Sequence, residues 1–411
     1  MTTGAENATG DIFKDFDHYN PHIGPDGSPS DYIEAIRNQV AAGQRIGRSE
    51  MYGGFWVAGG YAECQDILKD TKTFSNKGNI FPKYETGDAI LMMAEQDDPD
   101  HRKYRQMVAG PFNPMRARAL TDQVREHANR LIDRFIGQGE VNVSQGLANE
   151  LPGQFTAAFL GLPAEDGDMY RDWVEAMARG HLTDPEGAKR KVADMTAYVQ
   201  NVIDERRRKP GGTDVFSTII DTEFEGERLT DWELLSFFTI LLIGGLENTS
   251  RIISGSIWRL SWDLDLRRRL LAKPSLVAGA VEEIMRLYTG PAPCRLVTED
   301  IEFHGIAMKK GDTVMTLSGV ANRDPEVFPN PDYLIPDRSP NPHLSLGQGV
   351  HRCLGAHLVR VEAKVAVEEF LKRVPEFQLD KREGKEVTWE GGQAAGFTSV
   401  PIVFEPQQAA G

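Results

Sequence analysis

The chain has 411 residues, 40% hydrophobic and 26% charged, which supplies a large core and excludes wholesale disorder. Its net charge of −15 opposes any general attraction to nucleic acid. Three widely spaced cysteines, Cys64, Cys294 and Cys353, form neither a disulfide framework nor a metal-type pairing, which fits a cytoplasmic setting.

Met1 to Asn20 is polar and acidic, without the basic start or apolar stretch of a secretory signal, and is expected to be retained. Phe55 to Ala58 reads as a strand and Tyr61 to Asp70 as a short amphipathic helix. From Asp100 to Arg208 the pattern is mostly helical, broken at Pro111, Asn113-Pro114, Gly137 to Gly139, Pro152, Gly161 to Pro163 and Asp184-Pro185. Within it, Asp168 to Arg208 is expected to form a lid of two helices around a break at Gly180 to Gly187.

Thr230, with Glu233 three positions on, signals the start of a very long helix, and a second helix should follow Asp263. The apolar run Leu234 to Leu246 falls short of the roughly 20 residues that span a bilayer, so no membrane anchor is expected. Ile301 to Asp312 looks like a hairpin, Ala356 to Val374 like a helix and Val400 to Phe404 like a last strand. No repeat or low-complexity linker divides the chain, which predicts a single domain over 1–411, mainly α with small β-sheets. The basic clusters Arg206 to Lys209 and Arg267 to Arg269 read as solvated helix ends.

Leu346-Gly347-Gln348-Gly349-Val350-His351-Arg352-Cys353-Leu354-Gly355 carries the most chemical information. Glycines let a backbone pass close to a flat ligand, and a following helix turns its positive end toward the sulfur, which favours thiolate. By composition alone Cys353 reads equally as a small buried apolar residue. Three further patterns are weak singly. Glu283 and Arg286 share a helix face, as any exposed ion pair does; His101 and Arg105 share another, as in a solvated basic patch. Gly244-Gly245 costs a helix about 1 kcal/mol per residue, so it needs either close packing or a ligand groove.

In register and order these motifs resemble the cytochrome P-450 family, from about Tyr52 through Thr73-Phe74-Ser75 to the last strand. Gly349, His351, Cys353 and Gly355 match the family's haem loop, with Leu346 in place of its usual phenylalanine. The resemblance implies an α-rich triangular prism holding haem b between the long helix and the cysteine helix, with Cys353 as the iron ligand. It implies propionate binding by His101, Arg105, Arg295 and His351, and a structural triad of Glu283, Arg286 and Arg338, the last downstream of Ala321 to Pro325. It also implies an oxygen groove at Gly244-Gly245 beside Glu247, with Asn248 where the family has threonine and Thr249 one residue further on. Thr249 is turned by about 100° and does not simply supply the missing hydroxyl.

The implied activity is insertion of one atom of O2 into a small or medium hydrophobic substrate such as a terpenoid or aromatic. Electrons would come from NAD(P)H through a reductase and an iron-sulfur ferredoxin. Ile240, Ile243, Ala292, Ala394 and Phe397 are placed at the substrate pocket by position. Arg102, Lys103, Arg116 and Arg118 read either as a docking face for an acidic ferredoxin or as a plain solvated surface. A haem-thiolate sensor and a peroxide-dependent or non-oxygenating enzyme are the rival readings.

Overall fold

The computed structural model describes residues 11–21, 24, 29–82, 91–180, 183–288, 290–392 and 394–408. The first ten residues of the N-terminal segment, and positions 181 and 182 of the break predicted at Gly180 to Gly187, lie outside the described residues.

Before the first chemically informative motif, helix α1 (Ser30–Ala41) leads into strands β1 (Ile46–Ser49) and β2 (Phe55–Ala58), helix α2 (Tyr61–Lys69) and strand β3 (Phe74–Ser75). The helical stretch expected from Asp100 resolves into α3 (Asp100–Val108), α4 (Pro114–Ala119), α5 (Thr121–Asp133), α6 (Glu150–Leu160), α7 (Gly167–Glu175) and α8 (Pro185–Arg208). One correction falls inside it. After Gly139, a glycine at positive φ, Glu140–Asn142 forms strand β4, which pairs with the chain's last strand. Three residues are too short for periodicity to reveal a strand.

Helix α9 (Val215–Asp221) and the hairpin β5 (Glu223–Phe224) and β6 (Glu227–Arg228) precede the 32-residue helix α10 (Asp231–Trp262). Its start is the predicted capping box: Thr230 Oγ1 accepts from the Glu233 amide at 3.3 Å, and Glu233 Oε2 accepts from the Thr230 amide at 2.7 Å. At 1.5 Å per residue it is about 48 Å long, and Gly244-Gly245 does not break it. Helices α11 (Leu264–Ala272) and α12 (Val277–Tyr288) follow, then β7 (Gly290–Pro291), β8 (Cys294–Val297), the expected hairpin β9 (Ile301–Phe303) and β10 (Ile306–Met308), and β11 (Thr313–Thr316). Helix α13 (Ala356–Arg373) starts three residues after Cys353, and β12 (Phe377–Leu379), β13 (Thr388–Glu390), β14 (Ala394–Ser399) and β15 (Pro401–Phe404) complete the chain.

The architecture is helical with small sheets, as expected. Among the described residues the largest sheet has five strands in the order β1-β2-β11-β8-β3. The largest core cluster draws on residues from Phe112 to Ile402 and gathers α5, α6, the second half of α10, α12 and α13. A second unites α6 to α9 with the first half of α10, where Tyr170, Trp173, Met195 and Val199 of the predicted lid are buried. Among the described residues, no helix is long and apolar enough to cross a membrane.

Candidate active site

A cavity of about 340 Å³ lies between α10 on one side and the cysteine loop and α13 on the other, with α3 and α6 at its flanks. The loop that presents Cys353 is closed by its own backbone. The Cys353 amide donates to the Leu346 carbonyl at 2.8 Å and the Gly347 amide to the Leu344 carbonyl at 2.8 Å. Gly347 and Gly349 sit at φ +67° and +66°, a region that disfavours side chains, and a Cβ on Gly349 would stand 3.2 Å from the Leu68 carbonyl of α2. Glycine is therefore required where the loop passes that helix.

Cys353 forms the cavity floor, and its open surface faces this enclosed space. Enclosure pushes its thiol up from the ordinary range, opposed by the Gly355 amide and by the charges of Arg105, Arg360 and Arg352. Burial thus outweighs the thiolate-stabilising field that the following helix and cations supply.

His101, Arg105, Arg295 and His351, far apart in sequence, meet on one wall of this cavity. The His101 and His351 rings lie 3.9 Å apart between centroids. Burial pushes both imidazoles down, His351 to about 3, with the neighbouring His101, Arg295 and Arg105 contributing in the same direction. Arg295 is 3% exposed and donates to the Cys294 carbonyl at 2.8 Å, and burial lowers it to about 10. His101 Nε2, His351 Nε2 and Arg295 Nε are buried without a hydrogen-bond partner among the described residues. Unsatisfied buried donors are costly, so a wall of them calls for an anion. Two propionates match that demand.

On the opposite wall α10 contributes Ile240, Leu241, Gly244, Gly245, Asn248, Thr249 and Ile252. A Cβ on Gly244 would meet nothing within 4 Å, whereas one on Gly245 would come within 2.7 Å of Thr156 Oγ1. The two glycines answer different needs: Gly245 lets α6 approach, and Gly244 leaves the cavity open. Both readings of the pair hold, one per residue. Asn248 faces the cavity in the position expected of threonine; Glu247 is half-buried on the same helix, outside the cavity wall.

Four of the five residues placed at the substrate pocket do not line this cavity. Phe397 is fully buried, stacked on Trp258 with ring centroids 4.4 Å apart, and belongs to the main core. Ala292 belongs to a separate core with Phe13, Phe55 and Cys294. Ile243 packs against the lid-side core, and Ala394 pairs with Pro291 in a sheet. Only Ile240 lines the cavity. Ala292 misses this cavity by parity: residues two apart in an extended chain share a face, so Ala292 goes with Cys294, and Pro293 with Arg295 lines the cavity.

The sequence reading also missed Glu362. It lies on α13 at helical spacing from Gly355 and Leu358, lines the cavity, is 3% exposed and has no partner for Oε2 among the described residues. Burial pushes its carboxyl well above the usual range. Helical periodicity from the cysteine loop would have found it.

Behind the loop, Glu283 and Arg286 are fully buried. Arg286 donates Nε to Glu283 Oε1 at 2.7 Å and Nη2 to Oε2 at 2.8 Å, and Arg338 Nε reaches both carboxylate oxygens at 3.1 Å. Glu283 also accepts from the Ile335 amide and from Asn341. The three predicted triad residues meet.

The expected docking face is only half as drawn. Arg102 pairs with Asp98 at 2.8 Å and Lys103 with Glu227 at 2.6 Å. Arg118, by contrast, joins Arg352 and Arg360 around His357, whose imidazole is pushed down by burial and then by these three charges. Met115, beside Arg116 on α4, is 75% exposed.

A family model described as Cytochrome P450 matches residues 169–402. The mycinamicin IV hydroxylase/epoxidase of Micromonospora griseorubida is 34% identical over 356 residues, 85% of this chain and 89% of that protein. The cytochrome P450 monooxygenase PikC of Streptomyces venezuelae is 33% identical over 364 residues, 87% and 86% of the two chains. Among solved structures, that of CYP101J2 superposes with a TM-score of 0.85 at 28% identity, covering 98% of this chain and 100% of that one.

Proposed function

The chain belongs to the cytochrome P450 family, and on that premise we propose that Cys353 ligates the iron of haem b and that His101, Arg105, Arg295 and His351 receive its propionates. The observation that carries this reading is the wall of unpartnered buried nitrogens facing the same cavity whose floor is Cys353. The chain is a monooxygenase of hydrophobic organic substrates. Haem b, when bound, supplies the iron at which O2 is activated, and a thiolate ligand pushes electron density that favours O–O cleavage.

The chain's own residues divide the remaining work. Gly244 keeps space open on α10, and apolar Ile240, Leu241 and Met93 favour a hydrophobic guest of the terpenoid or aromatic kind. Asn248 offers a separate donor and acceptor and holds a water, and Glu247 behind it exchanges the proton. Electrons arrive from NAD(P)H through a reductase and an acidic ferredoxin that docks around Arg116, Arg118 and Arg352 rather than Arg102 and Lys103. Asn248 favours one second reading, in which peroxide replaces O2 and the reductase.

Product analysis with NADH, a surrogate ferredoxin and reductase and a terpenoid panel tests the reaction. Cys353→His should abolish the long-wavelength Soret band of the reduced carbon monoxide complex. Persistence of that band, or its loss only on changing Cys64 or Cys294, would falsify the ligand assignment. Product formed from hydrogen peroxide alone, and none from NADH, would select the second reading.

A further inference from the structure

Glu282 and Glu283 are consecutive on α12, so their side chains leave the helix about 100° apart. Glu283 forms, with Arg286 and Arg338, a buried brace behind the cysteine loop. Glu282 reaches α13 and the strand of loop that precedes the cysteine. Arg360 grips it as a fork, Nε to Oε1 at 2.6 Å and Nη2 to Oε2 at 2.9 Å, while its Nη1 donates to the Ala356 carbonyl at 3.0 Å. His343, 3% exposed by side chain, lies with Nε2 3.0 Å from Glu282 Oε2. One carboxylate therefore ties α12, the first turns of α13 and the residue ten positions before Cys353.

Burial alone would raise the Glu282 carboxyl, but its hydrogen bonds with His343 and Arg360, together with the Arg360 charge, hold it down at about 2. The group is a permanent anion. Its cationic partner is not remote from the chemistry: the Ala356 carbonyl that Arg360 grips belongs to the residue whose amide donates to the Cys353 carbonyl at 3.4 Å, and Arg105 on the same cavity and Arg352, next to the cysteine in sequence, are the other cations nearby. Among the described residues, Arg105 spends its hydrogen bond on the Arg352 carbonyl, and of these three cations only Arg360 is held by a carboxylate.

We infer that Glu282 is a positioning residue for the sulfur: by fixing and neutralising Arg360 it sets how much positive charge Cys353 and the group bound to it experience. The inference rests on the haem-thiolate reading above. Charge near the iron changes the free energy of adding an electron, and a cation released from its anion favours the reduced form.

The test is potentiometric titration of the haem-loaded protein, read as the ratio of reduced to oxidised iron at one fixed solution potential. Glu282→Gln, which keeps shape and part of the hydrogen bonding, should raise that ratio roughly threefold or more. Arg360→Leu strips the cation and leaves the anion, so it should lower the ratio. The double variant should return close to wild type. A purely structural role would lower melting temperature in both single variants without opposite shifts in the ratio, and shifts of the same sign, or none, overturn the inference. Where Glu282→Gln retains no haem, the sign of the Arg360→Leu shift decides alone. Absence of the long-wavelength carbon monoxide band in the wild-type protein sinks the haem-thiolate reading and this one with it; an intact band with unmoved potentials sinks this one only.

Discussion

Glu283→Ala should cost more stability than any other single change at the site. The carboxylate accepts from Arg286, Arg338, Asn341 and the Ile335 amide, and both it and Arg286 are fully buried. Removing it leaves a guanidinium in the interior with only carbonyl acceptors. Deleting one partner of a buried pair costs about 3–5 kcal/mol, against a total of about 5–15 kcal/mol for a folded domain. Urea unfolding followed by circular dichroism should show an unfolding free energy lowered by that amount, with less haem retained on purification. A control separates charge imbalance from lost packing. Replacing Glu283, Arg286 and Arg338 together by apolar residues of similar volume removes the imbalance and should recover much of the loss. A Glu283→Ala unfolding free energy within about 0.5 kcal/mol of wild type, the range of ordinary surface changes, would refute the reasoning.

Asn248→Ala should divert electrons from NADH into hydrogen peroxide and Asn248→Thr should not; a positioned acid-base group contributes roughly 10²–10⁴-fold, and an unchanged ratio of product to NADH would place the amide outside proton delivery. Glu247→Gln should slow turnover in the same assay. Phe397→Ala should destabilise by about 3–5 kcal/mol, as for a fully buried aromatic, while leaving the spectral affinity for a hydrophobic ligand unchanged; an affinity shift in protein of normal stability would return Phe397 to the pocket. Acid stability should follow the lowered carboxyls of α12. Glu282 falls from an ordinary 4.5 to about 2 and Glu283 is also lowered, so the folded state takes up these protons later than the unfolded one. Their contribution is complete above about 4.5 and declines as pH falls toward about 2, and Glu282→Gln should flatten that decline in a pH series of melting temperatures.

The sequence was most legible where chemistry and spacing constrain the backbone. The capping box at Thr230 and Glu233 marks the start of α10, the glycines at 347 and 349 mark the cysteine loop, and both occur as expected. The four residues proposed to receive the propionates and the brace also converge, because their motifs carry order as well as type. What stayed hidden depends on which face a residue turns. Ala292 against Pro293 is a difference of one step in an extended chain, and Phe397 sits in a strand whose alternation is masked by glycine and alanine neighbours. Arg102 and Lys103 are basic in sequence, yet their charge is spent on Asp98 and Glu227, the second 124 residues away.

The brace behind the cysteine loop holds its neighbours by their main chain. Arg286 donates to the carbonyls of Asn322, Pro331 and Tyr333, and Arg338 to those of Pro329, Asn330 and Tyr333. The Tyr333 side chain meanwhile stands 69% exposed. Carbonyl oxygens are the same on every residue, so what the two arginines recognise is a path through space and not a spelling. The side chain at 333 is free to drift, to be replaced by cysteine for a spectroscopic label, or to carry a surface charge, while the arginines that grip its backbone are not.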